Sequence, residues 1–513
     1  MPLTRRSLTQ FMAAGIGGGL LTAGPGVRAG HDLGDRHPDR NGAGFRGPRM
    51  YRGWILYVVD TPPSGADDTE ADQQRWLRQY RDGVLVVSTD GHIADVGNYH
   101  EVAPRYPDIP CRDYRGMLIM PGFIDSHVHY VQTQIIASYG RTLLEWLNEF
   151  AFPVEEQFSA PQAAAAVADI FLRYLFQNGT TTSVTFAATY PVSASALFEA
   201  ASAYDMRIIT GKTWMDRNAP PQLLDTPESA YRDSRELIRR WHGKGRNLYA
   251  ITPRFAITST FEQLRLAGIL HAEYPSTYIH THLSETRAEL ALVRELFPGF
   301  RDYLAVYEAA GLVTERSVLA HGVYLSGSEL SRVSAARSTI AHCPTSNLFL
   351  ASGLYDLQRA NRRGVQTSIG TDVGGGTSFS LLRTLDETYK SQHLQGYPVN
   401  AFEMLYLCTL GAARHLHLAG KIGSLDIGHE ADFVVIDYLA QGIQRTRMEY
   451  LRSTGGWTTE SMLFGLEITG DDRNVAATYV MGRPVYASRL HRGSHVLPPS
   501  RASGVLPEGL VDT

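Results

Sequence analysis

Cysteine is scarce in this chain of 513 residues. There are three, Cys111, Cys343 and Cys408, far apart and odd in number. They supply no disulfide framework and no C-x-x-C metal knuckle. Charge of one sign is also lacking. The net charge is −4, and no basic block or stripe stands out. That argues against a surface that tracks phosphates, so no nucleic-acid partner is expected. Long hydrophobic runs are missing too. The one mild apolar stretch, from about Phe11 to Val27, is glycine-heavy and short. A spanning helix needs about 20 apolar residues, so no stable membrane span is expected. What is present is ordinary for a soluble globular protein: 43% hydrophobic and 19% charged residues. The length accommodates a barrel enzyme plus a smaller domain.

Arg5 and Arg6 stand ahead of that apolar stretch, and "VRA" at 27–29 offers small residues suited to cleavage. The layout resembles a twin-arginine export signal over residues 1–29, which implies a periplasmic or secreted protein; a cytoplasmic one is the alternative. Residues 30–48 are rich in glycine and charge and read as a linker.

From 49 to 118 the pattern is short strands. "RGWILYVVD" is followed by "GVLVVSTDGHIADVG", whose Asp90-Gly91 pair predicts a hairpin turn. Residues 421–490 hold similar material in "ADFVVID" and "VAATYVMGRPVY", with Gly482 at the turn, ahead of a tail over 491–513. Strands at both ends around a different middle predict one small β-sandwich domain built from both ends of the chain. Between them, residues 119–420 alternate apolar strands with helical stretches. The strands are expected at 120–129, 180–187, 207–215, 249–255, 278–285, 317–325, 338–346 and 366–374. Helices are expected at 161–179 and 286–297. Eight repeats predict an α/β fold, a (β/α)₈ TIM-like barrel, with its chemistry at the C-terminal ends of the strands.

Polar residues interrupt the apolar runs at those ends: His127 and His129 on the first strand, Arg254 on the fourth, His282 and Glu285 on the fifth, His321 on the sixth and Asp372 on the eighth. Residues i and i+2 of a strand share a face, so His127 and His129 point together into the barrel mouth. Buried neutral imidazoles need partners, and a divalent metal is a natural one. His282 and Asp372 complete a donor set. On the fifth strand, "IHTHLSE" carries His280 as well as His282, and alternation leaves both open.

"PGFIDSHVH", "THLSE", "LAHG" and "GTD" resemble the metal-dependent amidohydrolase superfamily. "HVHYVQ", "PRFAIT", "AHGVYLS", "IAHCPTSNLFLASG" and "GTDVGGG" resemble its guanine deaminase branch, in order, over about Tyr51 to Tyr486. The resemblance implies one Zn²⁺ per chain, held by His127, His129, His282 and Asp372. His282 is selected over His280 by its His-x-x-Glu spacing. Iron or nickel would suit the same ligands. The resemblance also implies catalytic roles for Glu285 as proton shuttle, His321 as holder of the attacking water, and Asp372. Substrate contacts come from Gln132, Arg254 and Phe255, with Glu285 and Asp372, and a homodimer is implied. The expected substrate is a purine, guanine, hydrolysed to xanthine and ammonia. Other heterocycles, such as 8-oxoguanine, an s-triazine or a pterin, would use the same metal residues. A non-catalytic scaffold would typically have lost them. The H-x-E with P-C-x-x-C zinc site of cytidine deaminases is absent. Binuclear members carry a bridging lysine on the fourth strand, and "YAITPRF" has none. Lys212, on the third strand, is expected to play another role.

Overall fold

The computed structural model describes residues 47–63, 73–140, 142–488 and 496–497. The expected export signal, most of the linker and nearly all of the tail lie outside them. Two sheets organise the rest. The outer sheet uses β1 (Arg49–Val58), β2 (Leu77–Val87), β3 (Ile93–Asn98) and β4 (Cys111–Pro121) from one end of the chain. The barrel strands β5 to β13 follow, and β14 (Phe433–Ile436), β15 (Val475–Val480) and β16 (Arg483–Ala487) return to the outer sheet, in the order β16-β15-β14-β4-β1-β2-β3. The Asp90-Gly91 turn joins β2 to β3 as its sequence predicts, and Gly482 lies between β15 and β16. This sheet curls. β1 and β15 are three strands apart, roughly 14 Å in a flat sheet, yet the rings of Tyr51 and Tyr479 are 4.9 Å apart. The curl lets Leu85, Tyr51, Phe433 and Tyr479 share one small core.

The barrel strands are β5 (Phe123–His129), β6 (Thr180–Phe186), β7 (Arg207–Gly211), β9 (Asn247–Pro253), β10 (Tyr278–Leu283), β11 (Ser317–His321), β12 (Thr339–His342) and β13 (Gln366–Ile369). They pair in parallel in that order, with the two-residue β8 (Thr213–Trp214) beside β9. Helices intervene, among them Pro161–Gln177 and Arg287–Leu296, close to their expected spans. The first buries Ala164, Val167, Ala168, Phe171, Leu172 and Leu175, the spacing of one helical face. The second starts on a capping box between Thr286 and Glu289.

Several expected strands are shorter than their apolar runs, the first and the last among them. Met120 and Pro121 end the outer sheet's β4, and the barrel strand starts at Phe123. The run "LIMPGFID" therefore crosses from one sheet to the other, broken where Pro121 lacks an N–H and the Gly122 N–H is drawn to Asp432 O. The last strand stops at Ile369, and residues 370–374 bend across the mouth to close the barrel against β5. Asp372 N donates to His127 O and His129 N donates to Val373 O, both at 2.8 Å. Asp125 fastens the same seam, accepting from Thr371 N at 3.1 Å and from the Thr371 hydroxyl. Gly370 makes the approach possible, since a Cβ there would lie 2.8 Å from His127 Cβ. Nearer the starts of the strands, Ile124, Val184, Ile209, Tyr278 and Val318 pack with Leu416 and Ile422 into an apolar plug. This apolar cluster fills the barrel below its mouth.

Candidate active site

The sequence-predicted residues meet at that mouth although 245 positions separate His127 from Asp372. His127, His282, His321 and Asp372 each bring a donor atom within 4.8 Å of the others. His129 joins them, its Nε2 3.4 Å from Asp372 Oδ1 and 3.2 Å from His282 Nε2. His127 Nε2 lies 3.1 Å from Asp372 Oδ1, and His321 Nε2 lies 3.6 Å from Oδ2. All five side chains are buried. His321 and Asp372 hold left-handed backbone, φ 74° and 51°, as does Ser284, φ 52°. Such conformations in non-glycine residues cost about 1–3 kcal/mol each and gather at functional sites.

The hydrogen bonds around the rings fix which nitrogen is bare. His282 Nδ1 is 2.8 Å from the carbonyl oxygen of Arg254, which only an N–H can approach favourably. A neutral ring then leaves Nε2 as a lone pair directed into the cluster. His321 Nδ1 stands 2.9 Å from Asn347 Oδ1, with the same consequence for its Nε2. His127 Nε2 is buried without a hydrogen bond. Burial disfavours the charged form of three of the rings: it pushes His129 down to about 3, and His127 and His282 fall as well. Neutral nitrogen lone pairs converging on a carboxylate repel unless a cation lies among them. The donor set therefore fits a divalent metal that takes nitrogen and oxygen ligands.

The ambiguity between His280 and His282 resolves here. His282 faces the cluster. His280 lies behind it, its Nε2 2.7 Å from His127 Nδ1, where it braces that ring. Lys212 is not in the cluster either. Its ammonium pairs with Asp225 at 2.5 Å, and Gln263 Nε2 donates to the other Asp225 oxygen at 2.7 Å. Lys212→Met should strand the largely buried Asp225 carboxylate and cost about 3 kcal/mol of stability. Denaturant unfolding checks this, with a metal content equal to wild type if the lysine is structural only.

Glu285 follows β10 and borders the cluster without entering the closest group. Its Oε1 accepts from the Ser352 hydroxyl at 2.8 Å, and its Oε2 is 3.4 Å from His321 Nε2. Burial, then the nearby Asp372 charge, push its carboxyl up to about 8. A small cavity opens above, lined by His129, His282, Glu285, His321 and Asp372 on one side and by Gln132, Arg254 and Phe255 on the other. Arg254 serves both sides: its carbonyl orients His282 while its guanidinium reaches the cavity wall.

Several residues of the site escape sequence reasoning. Leu143, Trp146 and Leu147 wall the cavity from short helical turns that no strand pattern announces. Asn347 and Ser352, which hold His321 and Glu285, sit inside "IAHCPTSNLFLASG", the motif whose resemblance pointed there without assigning them roles. Glu155 carries no signal at all, being one of two adjacent glutamates in "AFPVEEQF".

The chain matches the model of the amidohydrolase family over residues 118–485. A guanine deaminase of Escherichia coli strain K12 is 47% identical over 411 residues, covering 80% of this chain and 92% of that protein. The crystal structure of guanine deaminase from Bradyrhizobium japonicum superposes with a TM-score of 0.82 at 38% identity, covering 86% of this chain and all of the other. Guanine deaminase from C. acetobutylicum, solved with guanine in its active site, gives a TM-score of 0.74 at 25% identity, covering 86% of this chain and 100% of that one. Agreement of this extent, spanning the barrel and the returning β strands alike, places the chain in the amidohydrolase family.

Proposed function

We propose that this protein is a metal-dependent guanine deaminase that converts guanine and water to xanthine and ammonia. One observation carries the reading: a single cavity joins the imidazole–carboxylate cluster and Glu285 to a wall bearing Arg254, Gln132 and Phe255. The 47% identity to the E. coli guanine deaminase supports it.

In this reading His127, His129, His282 and Asp372 hold one zinc ion, which supplies the Lewis acidity that makes water nucleophilic near neutral pH. His321 and Asp372 orient the attacking water toward C2 of guanine and take its proton. Glu285, raised to about 8, holds a proton at neutral pH and delivers it to the adjacent ring nitrogen, N3. The carboxylate so formed takes the remaining hydroxyl proton at C2 and passes it to the exocyclic amine, which leaves as ammonia, and the proton held by His321 and Asp372 returns to Glu285. Arg254 offers donors to the O6 and N7 acceptors of guanine, the pair an arginine fork suits. Phe255, its ring 6.2 Å from that of His282, supplies an apolar face beside the metal site. An adenine, with an amine in place of O6, would set donor against donor.

A panel of guanine, adenine, 8-oxoguanine, a pterin and an s-triazine tests the reading on purified, zinc-loaded protein. Guanine should release ammonia and yield xanthine, with kcat/KM at least about a hundredfold above adenine. No turnover of guanine, or faster turnover of another member of the panel, refutes it.

A further inference from the structure

Glu155 is fully buried and outside the cavity wall, yet it touches both residues assigned to the purine edge. Arg254 Nη1 donates to both of its oxygens, at 2.9 and 2.7 Å. Gln132 Nε2 donates to Oε1 at 2.9 Å. On the other side of Gln132, Gly374 N donates to the side-chain oxygen Oε1 at 3.2 Å. A carboxylate is acceptor-only and a backbone N–H is donor-only. Gln132 therefore has one orientation: a flip would set oxygen against Glu155 and NH₂ against N–H. Arg254 is held likewise by Nη1, leaving Nε and Nη2 as its uncommitted donors. Its guanidinium also lies 5.3 Å from the centre of the Phe152 ring, three residues before Glu155.

We propose that Glu155 is the specificity-determining positioning residue of this site, a carboxylate that fixes the donor pattern which Arg254 and Gln132 present to the carbonyl edge of a 6-oxopurine. The inference rests on the guanine reading and names what sets its selectivity. Glu155 acts through the other two side chains and meets no reacting atom. It belongs to the helical turn Phe152–Glu155, just after the turns that carry Leu143, Trp146 and Leu147. The wall of the cavity and the orientation of its polar groups are thus set by one short stretch of chain.

The test compares guanine with 2-aminopurine, which keeps the 2-amine and has hydrogen where guanine has O6. Glu155→Gln should raise KM for guanine roughly ten- to hundredfold, the loss of one well-placed charge-assisted hydrogen bond. Its kcat should change less than fivefold, its metal content should stay at wild type, and its inhibition constant for 2-aminopurine, which keeps N7 and lacks only O6, should rise at least fivefold less than the guanine KM. Glu155→Asp keeps the charge but draws it back by one methylene. It should raise the guanine KM at least fivefold with 2-aminopurine again less affected, and it serves if the glutamine variant folds poorly. A parallel loss of both ligands would mark Glu155 as merely structural and overturn the proposal, as would an unchanged guanine KM. If the wild-type protein itself does not turn over guanine, the functional reading fails first and this inference with it. If wild type does and both variants keep its selectivity, the inference alone fails.

Discussion

Glu285→Gln is expected to lower guanine turnover by about 10²–10⁴ while leaving a full complement of metal. Glutamine matches the shape of the glutamate and keeps an oxygen for the Ser352 hydroxyl, which donates to Oε1 at 2.8 Å. It has no proton to give and take. Glu285 stands outside the closest donor group, which comprises His127, His282, His321 and Asp372. Replacing its carboxyl should therefore spare metal binding and abolish only the proton transfer. Guanine affinity should change little, because the donors facing the carbonyl edge belong to Arg254 and Gln132. Elemental analysis beside steady-state kinetics decides the matter. Activity within tenfold of wild type would falsify the proton-shuttle role.

Asp372→Asn should lose both metal and turnover. The carboxylate is the only anion in the closest group, so it supplies the charge that neutral imidazoles cannot. Even outer partners of a metal ligand cost 10- to 100-fold in affinity when changed. Loss of the anionic ligand itself should exceed about a hundredfold, and turnover should fall at least as far. Asparagine is the fitting probe because it tolerates the left-handed backbone of this position, φ 51°. Its side-chain amide also disturbs the shared geometry of His127 and His129, whose Nε2 atoms both face Oδ1. Chelator competition gives the affinity directly. Stoichiometric metal in Asp372→Asn, or turnover within tenfold of wild type, would remove Asp372 from the site. The two variants together separate the roles: one keeps metal without catalysis, the other loses both.

Much of this was legible before any coordinates. Short apolar runs with helical stretches between them predict a parallel sheet, and eight such repeats predict a barrel. The polar interruptions at their ends then had to meet at one mouth. What misled was the end of an apolar run. "LIMPGFID" is continuous in hydrophobicity but serves two sheets, and burial on either side looks the same in sequence. "QTSIGTDVG" reads as one strand, yet its second half turns across β5, because the backbone amides of Thr371 and Asp372 find partners in Asp125 and His127.

The sequence by itself determined the barrel, the metal-type donor set and the family, since each is written in ordered residue types at strand ends. Only the tertiary structure decided the rest. It turned His282 toward the cluster and set His280 behind His127, a choice that strand alternation leaves open because both rings face inward. It gave Lys212 to Asp225 rather than to a metal. It brought Glu155 beneath Gln132 and Arg254, 23 and 99 positions away along the chain. A buried carboxylate is identified by what surrounds it, and that depends on contacts between distant segments which no local pattern encodes.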